Sequence, residues 1–377
     1  MSSRVLPAAD ESATTPGRSA RPGSRGPGLL RSSALNHLLL MLLAYAGIVL
    51  LLSALDPFRA SQLASMAYYV PAVAGLTVLT GINGQISLGH GALMAVGAYT
   101  TGVLLVRQEG LPFLVIVLIA TAVTCVAGLV VGAVAARLHG PYLAGATLAL
   151  AVGLPGLAIR FDALLGGEQG LRVAAPRPPD WFRSLIANVT GERPSSLTYL
   201  AYLGWALALV VLFLLSNLVT SRFGRQWRAV RDDEVAAELA GINLGRTRVL
   251  AFVVSAACAG VGGALLAVVS RLAAPTSFTV VLSLSLLTAI VIGGLGSLVG
   301  AVIGSALLVF MQPLITDRGL ASGLDAAQAA NIAPLVYGVL LVLTMLLTPR
   351  GLVGSLRYSL LMRRGRREAA AARAGGS

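Results

Sequence analysis

The chain has 377 residues, 56% hydrophobic and 11% charged, with a mean hydropathy of +0.83. Soluble domains carry roughly 25% charged residues, so there are too few charges to coat soluble domains and too much apolar surface for disorder. An all-α polytopic membrane protein remains.

All 28 basic residues are arginine, against 15 acidic ones, for a net charge of +13. The absence of lysine excludes a Walker A phosphate loop and Schiff-base chemistry. The arginines lie between apolar runs or in the tails, with no basic stripe interleaved with aromatics. The charge therefore points to membrane topology rather than to nucleic acid. Cys125 and Cys258 both fall inside apolar runs, which suits packing residues better than a disulfide or metal pair.

Residues 1–34 are rich in Ser, Pro, Gly and Arg and read as a disordered cytoplasmic tail. They do not read as a secretory signal, because the charged region is too long and a full span follows. Apolar runs long enough for a ~30 Å hydrocarbon core predict ten spans. These lie near 35–55, 61–80, 86–106, 112–136, 141–159, 198–219, 248–270, 278–295, 297–315 and 332–348. Short turns near 81–85 and 294–297 could hold broken or re-entrant segments. A transmembrane domain at 35–348 thus carries an external loop at 160–197 and a cytoplasmic loop at 220–247. A basic cytoplasmic tail follows at 349–377.

With the N-terminus inside, the N-tail, Arg137, the 220–248 segment and the C-tail collect 19 of the 28 arginines. That distribution follows the positive-inside rule. Both basic tails then lie inside, as an even number of spans requires. Residues 1–30 and about 365–377 lack the apolar side chains to bury surface, so they are expected to be dispensable.

Small residues recur inside the spans. Gly293 and Gly294 precede Gly296, Gly300 and Gly304, which step by four along one expected helix face and would let backbones approach. No carboxylate is expected deep in a span, although ion-coupled carriers usually keep an ionisable group there. His90 is the nearest candidate, about one turn into the third span, and reads as a packing residue or as a proton relay. His37, His90 and His139 share no metal-ligand spacing, so no metal site is expected.

The acidic doublet Asp232-Asp233 fits a helix start. Asp232 can cap it, Asp233 and Glu234 complement its dipole, and Gly241 suits its left-handed end. About two turns of helix would then lie outside the membrane. Ala236, Ala237 and Ala240 would permit close approach, and Glu234 and Glu238 would share a charged face. Such a helix is either a docking knob for a soluble partner or a capped connection.

The stretch from Gly224 through Arg228, Asp232, Asp233, Glu234, Ala236, Ala237, Glu238 and Gly241 to Asn243 resembles the ATPase-coupling loop of permeases in branched-chain amino acid ABC importers. The following Arg248–Ala256, Ala259-Gly260 and Gly262–Leu265 are similar to the M-type (LivM-like) subunit rather than the H-type. Matching blocks are Gly84–Gly91, which holds Gln85, Ser87 and His90; Gly97-Ala98-Tyr99; and Gly140–Leu143 with Tyr142. Pro275–Phe278, Gly293–Ser297 and Pro349–Leu352 complete an ordered series covering about residues 40 to 355. Two departures stand out. Gln169 occupies a position where Asn or Asp is common, and Leu148–Val152 after Thr147 lacks a polar residue often found near its end. They bear on the substrate, since close relatives carry urea, short amides and aromatic acids.

The resemblance implies a ten-helix fold of the type II ABC importer permeases in a bacterial inner membrane, with both termini cytoplasmic. It implies an H-type permease, two cytoplasmic ABC ATPase subunits and an extracytoplasmic substrate-binding protein as partners, alongside membrane lipid. ATP and Mg²⁺ would sit on the ATPases, leaving no cofactor and no enzymatic chemistry in this chain. Residues 228–241 would couple to the ATPases. Gln85, Ser87, His90, Tyr99, Tyr142 and Thr147 would be pathway or gate positions. The other readings are a stand-alone proton-coupled carrier using His90 and, less in keeping with the missing acidic and metal constellations, a membrane enzyme.

Overall fold

An apolar run in lipid has no water to satisfy its backbone, so it closes its hydrogen bonds within itself as a helix. A computed structural model describes residues 33–347, apart from Glu109, His139, Arg177, Trp181, Leu185 and 187–194. The expectations for the two tails lie outside these residues.

The helices are α1 (Ser33–Ala54), α2 (Pro57–Leu76), α3 (His90–Arg107), α4 (Phe113–Ala135), α5 (Pro141–Arg160) and α6 (Ser196–Thr220). They continue as α7 (Arg222–Asp232), α8 (Glu234–Leu239), α9 (Leu244–Ser270), α10 (Val280–Gly293), α11 (Leu298–Ala321) and α12 (Ala326–Leu347). Each of the ten expected spans thus appears as a helix, but among the described residues eight helices are long and apolar enough to cross a membrane.

The count of ten is corrected at α3 and α10. α3 starts at His90 rather than near 86, because the preceding residues are not helical. α10 has 14 residues, about 21 Å of helix, since Pro275–Phe278 forms a separate 3₁₀ turn before it.

Both suspected breaks are real. α2 ends in a π-helical segment, Thr77–Ile82, where Asn83 N–H donates to the Val78 carbonyl at 3.0 Å. Gly84 then turns the chain at φ +82°, while Gly294 and Gly296 take φ +119° and +83° between α10 and α11. Gly296 therefore lies in this turn and not on the helix face with Gly300 and Gly304, as its spacing had suggested. Gly293, Gly300 and Gly304 do pack backbone to backbone. A Cβ at Gly300 would lie 2.5 Å from the Gly293 carbonyl oxygen, and one at Gly304 would lie 2.2 Å from that of Ala289.

α9 is the central helix and packs on α2, α3 and α4. Lipid removes the hydrophobic drive between helices, leaving close contact as the main source of cohesion. The glycines of α9 allow it: a Cβ at Gly263 would stand 1.9 Å from the Met94 carbonyl oxygen of α3. A second cluster joins α1, α2 and α6, where the Trp205 indole N–H donates to the Leu63 carbonyl at 3.0 Å. Outward positions such as Leu40, Leu43, Leu118 and Leu346 are exposed, as helices bathed in lipid require. The segment after α5 adds one small departure from an all-helical fold, as β1 (Leu171–Arg172) pairs antiparallel with β2 (Leu272–Ala273).

Candidate functional site

The loop between α6 and α9 contains two helices where one was expected. α7 begins under a Ser221 cap, whose hydroxyl accepts from Phe223 N–H. Its face toward the core carries Trp227, fully buried, and Val230. The Trp227 indole N–H donates to the Thr247 carbonyl at 3.1 Å, tying α7 to the start of α9. Arg228 is half-buried on this same helix, not on α8.

Asp232 does not cap α8. It is the last residue of α7, and its carboxylate accepts from Arg231 at 2.9 and 3.1 Å. Asp233 is the cap instead: its backbone is extended (φ −159°, ψ 111°) and its side chain accepts from Ala236 N–H at 3.0 Å. An N-cap needs this extended geometry, which a residue still inside a helix cannot supply.

At the other end, Gly241 takes φ +83°. Its N–H reaches the Glu238 carbonyl, and Ile242 N–H reaches that of Ala237. These two bonds close the helix with a left-handed glycine.

The faces of α8 also differ from expectation. Ala237 is buried against the protein, whereas Ala236 and Ala240 point outward. Glu234 pairs with the buried Arg248 of α9, so Glu234 and Glu238 do not form one free charged face. The outward stripe is apolar: Val235 and Leu239, four apart, are 68% and 85% exposed.

Arg231 is a residue that sequence reasoning left without a role. Its guanidinium donates to the Gly81 carbonyl at 2.8 Å, inside the π-helical segment, while also holding Asp232. A Cβ at Gly84 would lie 2.8 Å from Arg231 Cγ, and one at Gly81 would lie 2.3 Å from Gly296 N. Gly81, Gly84, Gly296 and Arg231 thus bring the loop and both chain breaks to one place. No local signal in the sequence sets Arg231 apart from Arg222, Arg225 and Arg228.

The candidate pathway residues separate into groups. Ser87 and Thr147 are buried, and Thr147 Oγ accepts from Leu88 N–H at 3.0 Å, so α5 holds the non-helical approach to α3. His90 is fully buried, with Nδ1 3.4 Å from Ser255 Oγ on α9. Gln85 is buried, and neither its Nε2 nor its Oε1 has a hydrogen-bond partner. Tyr99 lies nine residues further along α3, about 13 Å away, against Phe278 with ring centroids 6.0 Å apart. Tyr142 is 77% exposed and joins neither group. Among the described residues no carboxylate is buried, and no three potential metal ligands cluster.

Residues 59–345 match the family described as branched-chain amino acid transport system, permease component. The high-affinity branched-chain amino acid transport system permease protein LivM of Escherichia coli is 33% identical over 306 residues, covering 77% of this chain and 69% of that protein. LivM of Salmonella typhimurium matches to the same extent. The permease protein LivH of Escherichia coli is 27% identical over 292 residues, or 74% of this chain and 89% of LivH. No solved structure matches. With the family pattern spanning α2 to α12, the chain belongs to the permease components of branched-chain amino acid transport systems.

Proposed function

We propose that the chain is the M-type subunit of an ATP-driven importer, forming the pathway for branched-chain amino acids or related small polar solutes together with an H-type permease. Two cytoplasmic ABC ATPases would hold ATP and Mg²⁺, and an extracytoplasmic binding protein would deliver the substrate. The arginine distribution supports placing α7, α8 and both termini in the cytoplasm of a bacterial inner membrane.

The observation that carries this reading is α8. It is capped at both ends and offers two exposed apolar side chains, Val235 and Leu239, that no described residue covers. An ATPase groove that received this knob would move α8 and, through Arg231 and the Glu234–Arg248 pair, the breaks at 81–85 and 294–297 and the foot of α9. Closure of the ATPase dimer would thereby switch the spans between inward- and outward-open states. Selectivity would lie largely with the binding protein, which suits an interior without buried carboxylates among the described residues.

The test is co-expression of the two permeases and the two ATPases with Val235→Arg/Leu239→Arg in this chain. Normal membrane insertion with loss of co-purified ATPase supports the reading. Full recovery of the ATPases with the double mutant contradicts it.

A further inference from the structure

A groove of about 560 Å³ runs between α1, α6 and the start of α11. His37 and Ser216 line one end and Ile48 and Trp205 the other, so along α1 it is about 16 Å long. That is the depth of one leaflet, half of a ~30 Å hydrocarbon core. Spread over this length, the volume is a channel roughly 6–7 Å across, whereas a helix with its side chains is about 10–12 Å wide. The groove is too narrow for a helix and suits a single hydrocarbon chain. Between its two ends the wall is apolar.

Polar groups gather at one end, on the side of α7. His37 Nδ1–H donates to Asn217 Oδ1 at 3.0 Å. One turn past Ser216 on the same helix face is Thr220, whose carbonyl accepts from Arg225 Nη1 at 3.5 Å. Arg222 lies two residues past α6, its guanidinium 4.9 Å from the centre of the Phe223 ring. Both arginines are exposed, and neither pairs with a carboxylate among the described residues. A basic site at the mouth of a leaflet-deep groove of this width is complementary to an anionic phospholipid. We infer that the groove holds one acyl chain of such a lipid, with its phosphate on Arg222 and Arg225. The lipid would fill the seam between α1 and α11. The inference is independent of the importer reading, since it needs only that the chain sits in a bilayer.

Native mass spectrometry of the full-length chain in detergent, titrated with dioleoyl phosphatidylglycerol or dioleoyl phosphatidylethanolamine, tests this. One phosphatidylglycerol per chain should be retained at least about five-fold better than phosphatidylethanolamine, the effect of one arginine near an anionic headgroup. Arg222→Gln/Arg225→Gln changes exposed residues outside the spans, so it should remove that preference from a normally folded chain. Ala44→Phe or Val302→Phe should abolish retention of both lipids by filling the groove. Glycerol phosphate should not compete, because it lacks the acyl chain; effective competition by it would overturn the acyl-chain site. Equal retention of the two lipids, a preference unchanged in the arginine variant, or retention unchanged in both filled variants would each overturn the proposal. No retained lipid, together with loss of a co-expressed second permease from the filled variants, would make the groove a protein interface instead.

Discussion

Gly241→Val tests whether α8 must be rigid to act. The left-handed φ of +83° costs an ordinary L-residue about 1–2 kcal/mol, and a β-branched one falls at the upper end. No atom lies within 4 Å of a Cβ built at Gly241, so the penalty is one of backbone conformation and not of collision. About 2 kcal/mol is a shift of roughly 30-fold in a local equilibrium. That is large beside the ~1 kcal/mol that the Asp233 cap contributes to a helix of only six residues. The last turn of α8, carrying Leu239, should therefore fray in most molecules.

The assay is recovery of ATPase subunits with the membrane-inserted chain, followed by substrate-stimulated ATP hydrolysis. Recovery should fall by about ten-fold for Val, less for Ala, and least for Asn, which tolerates the left-handed region. Wild-type behaviour of Gly241→Val would refute the reasoning. Asn proving as harmful as Val would show that the dihedral angle is not the cause.

Arg231→Gln should insert normally but uncouple ATP hydrolysis from uptake, because the link from α7 to the Gly81 carbonyl is lost; tight coupling in this variant would remove Arg231 from the mechanism. Gly263→Val should prevent folding, since even its Cβ would stand 1.9 Å from the Met94 carbonyl oxygen; a monodisperse variant with an unchanged melting temperature would contradict the close packing of α9 on α3. Trp227→Phe should cost about 1 kcal/mol of stability through the lost bond to Thr247, measured as a lowered melting temperature with insertion intact. His90→Gln, which keeps size and some hydrogen bonding, should retain most uptake at normal expression; abolished uptake together with dependence on the proton gradient would favour the proton-coupled carrier.

The short helix outside the spans was legible because its signals are local. Asp233, Glu234 and Gly241 state a start and a stop within nine residues. Which of two adjacent aspartates caps it was not legible, because that depends on where α7 ends, and α7 is fixed by burying Trp227 beneath α9. The spacing of Gly296, Gly300 and Gly304 suggested a continuous face for a similar reason. Periodicity cannot show that a helix begins only at Leu298.

The sequence by itself determined that the chain is a helical membrane protein, where its apolar runs lie, and which loop between spans carries a capped helix. Composition and hydropathy act on each segment independently, since every run must satisfy its own backbone in lipid. The tertiary structure alone decided that Arg231 joins the loop to both broken spans, that Glu234 turns back to Arg248, and that Val235 and Leu239 are left facing outward. It also decided that Tyr142 is exposed while Ser87, His90 and Thr147 are buried, and that the Gln85 amide is buried without a hydrogen-bond partner. The ion pair and the hydrogen bond join residues 14 and 150 positions apart. They are set by how closely glycine-bearing helices approach, a distance that no local pattern records.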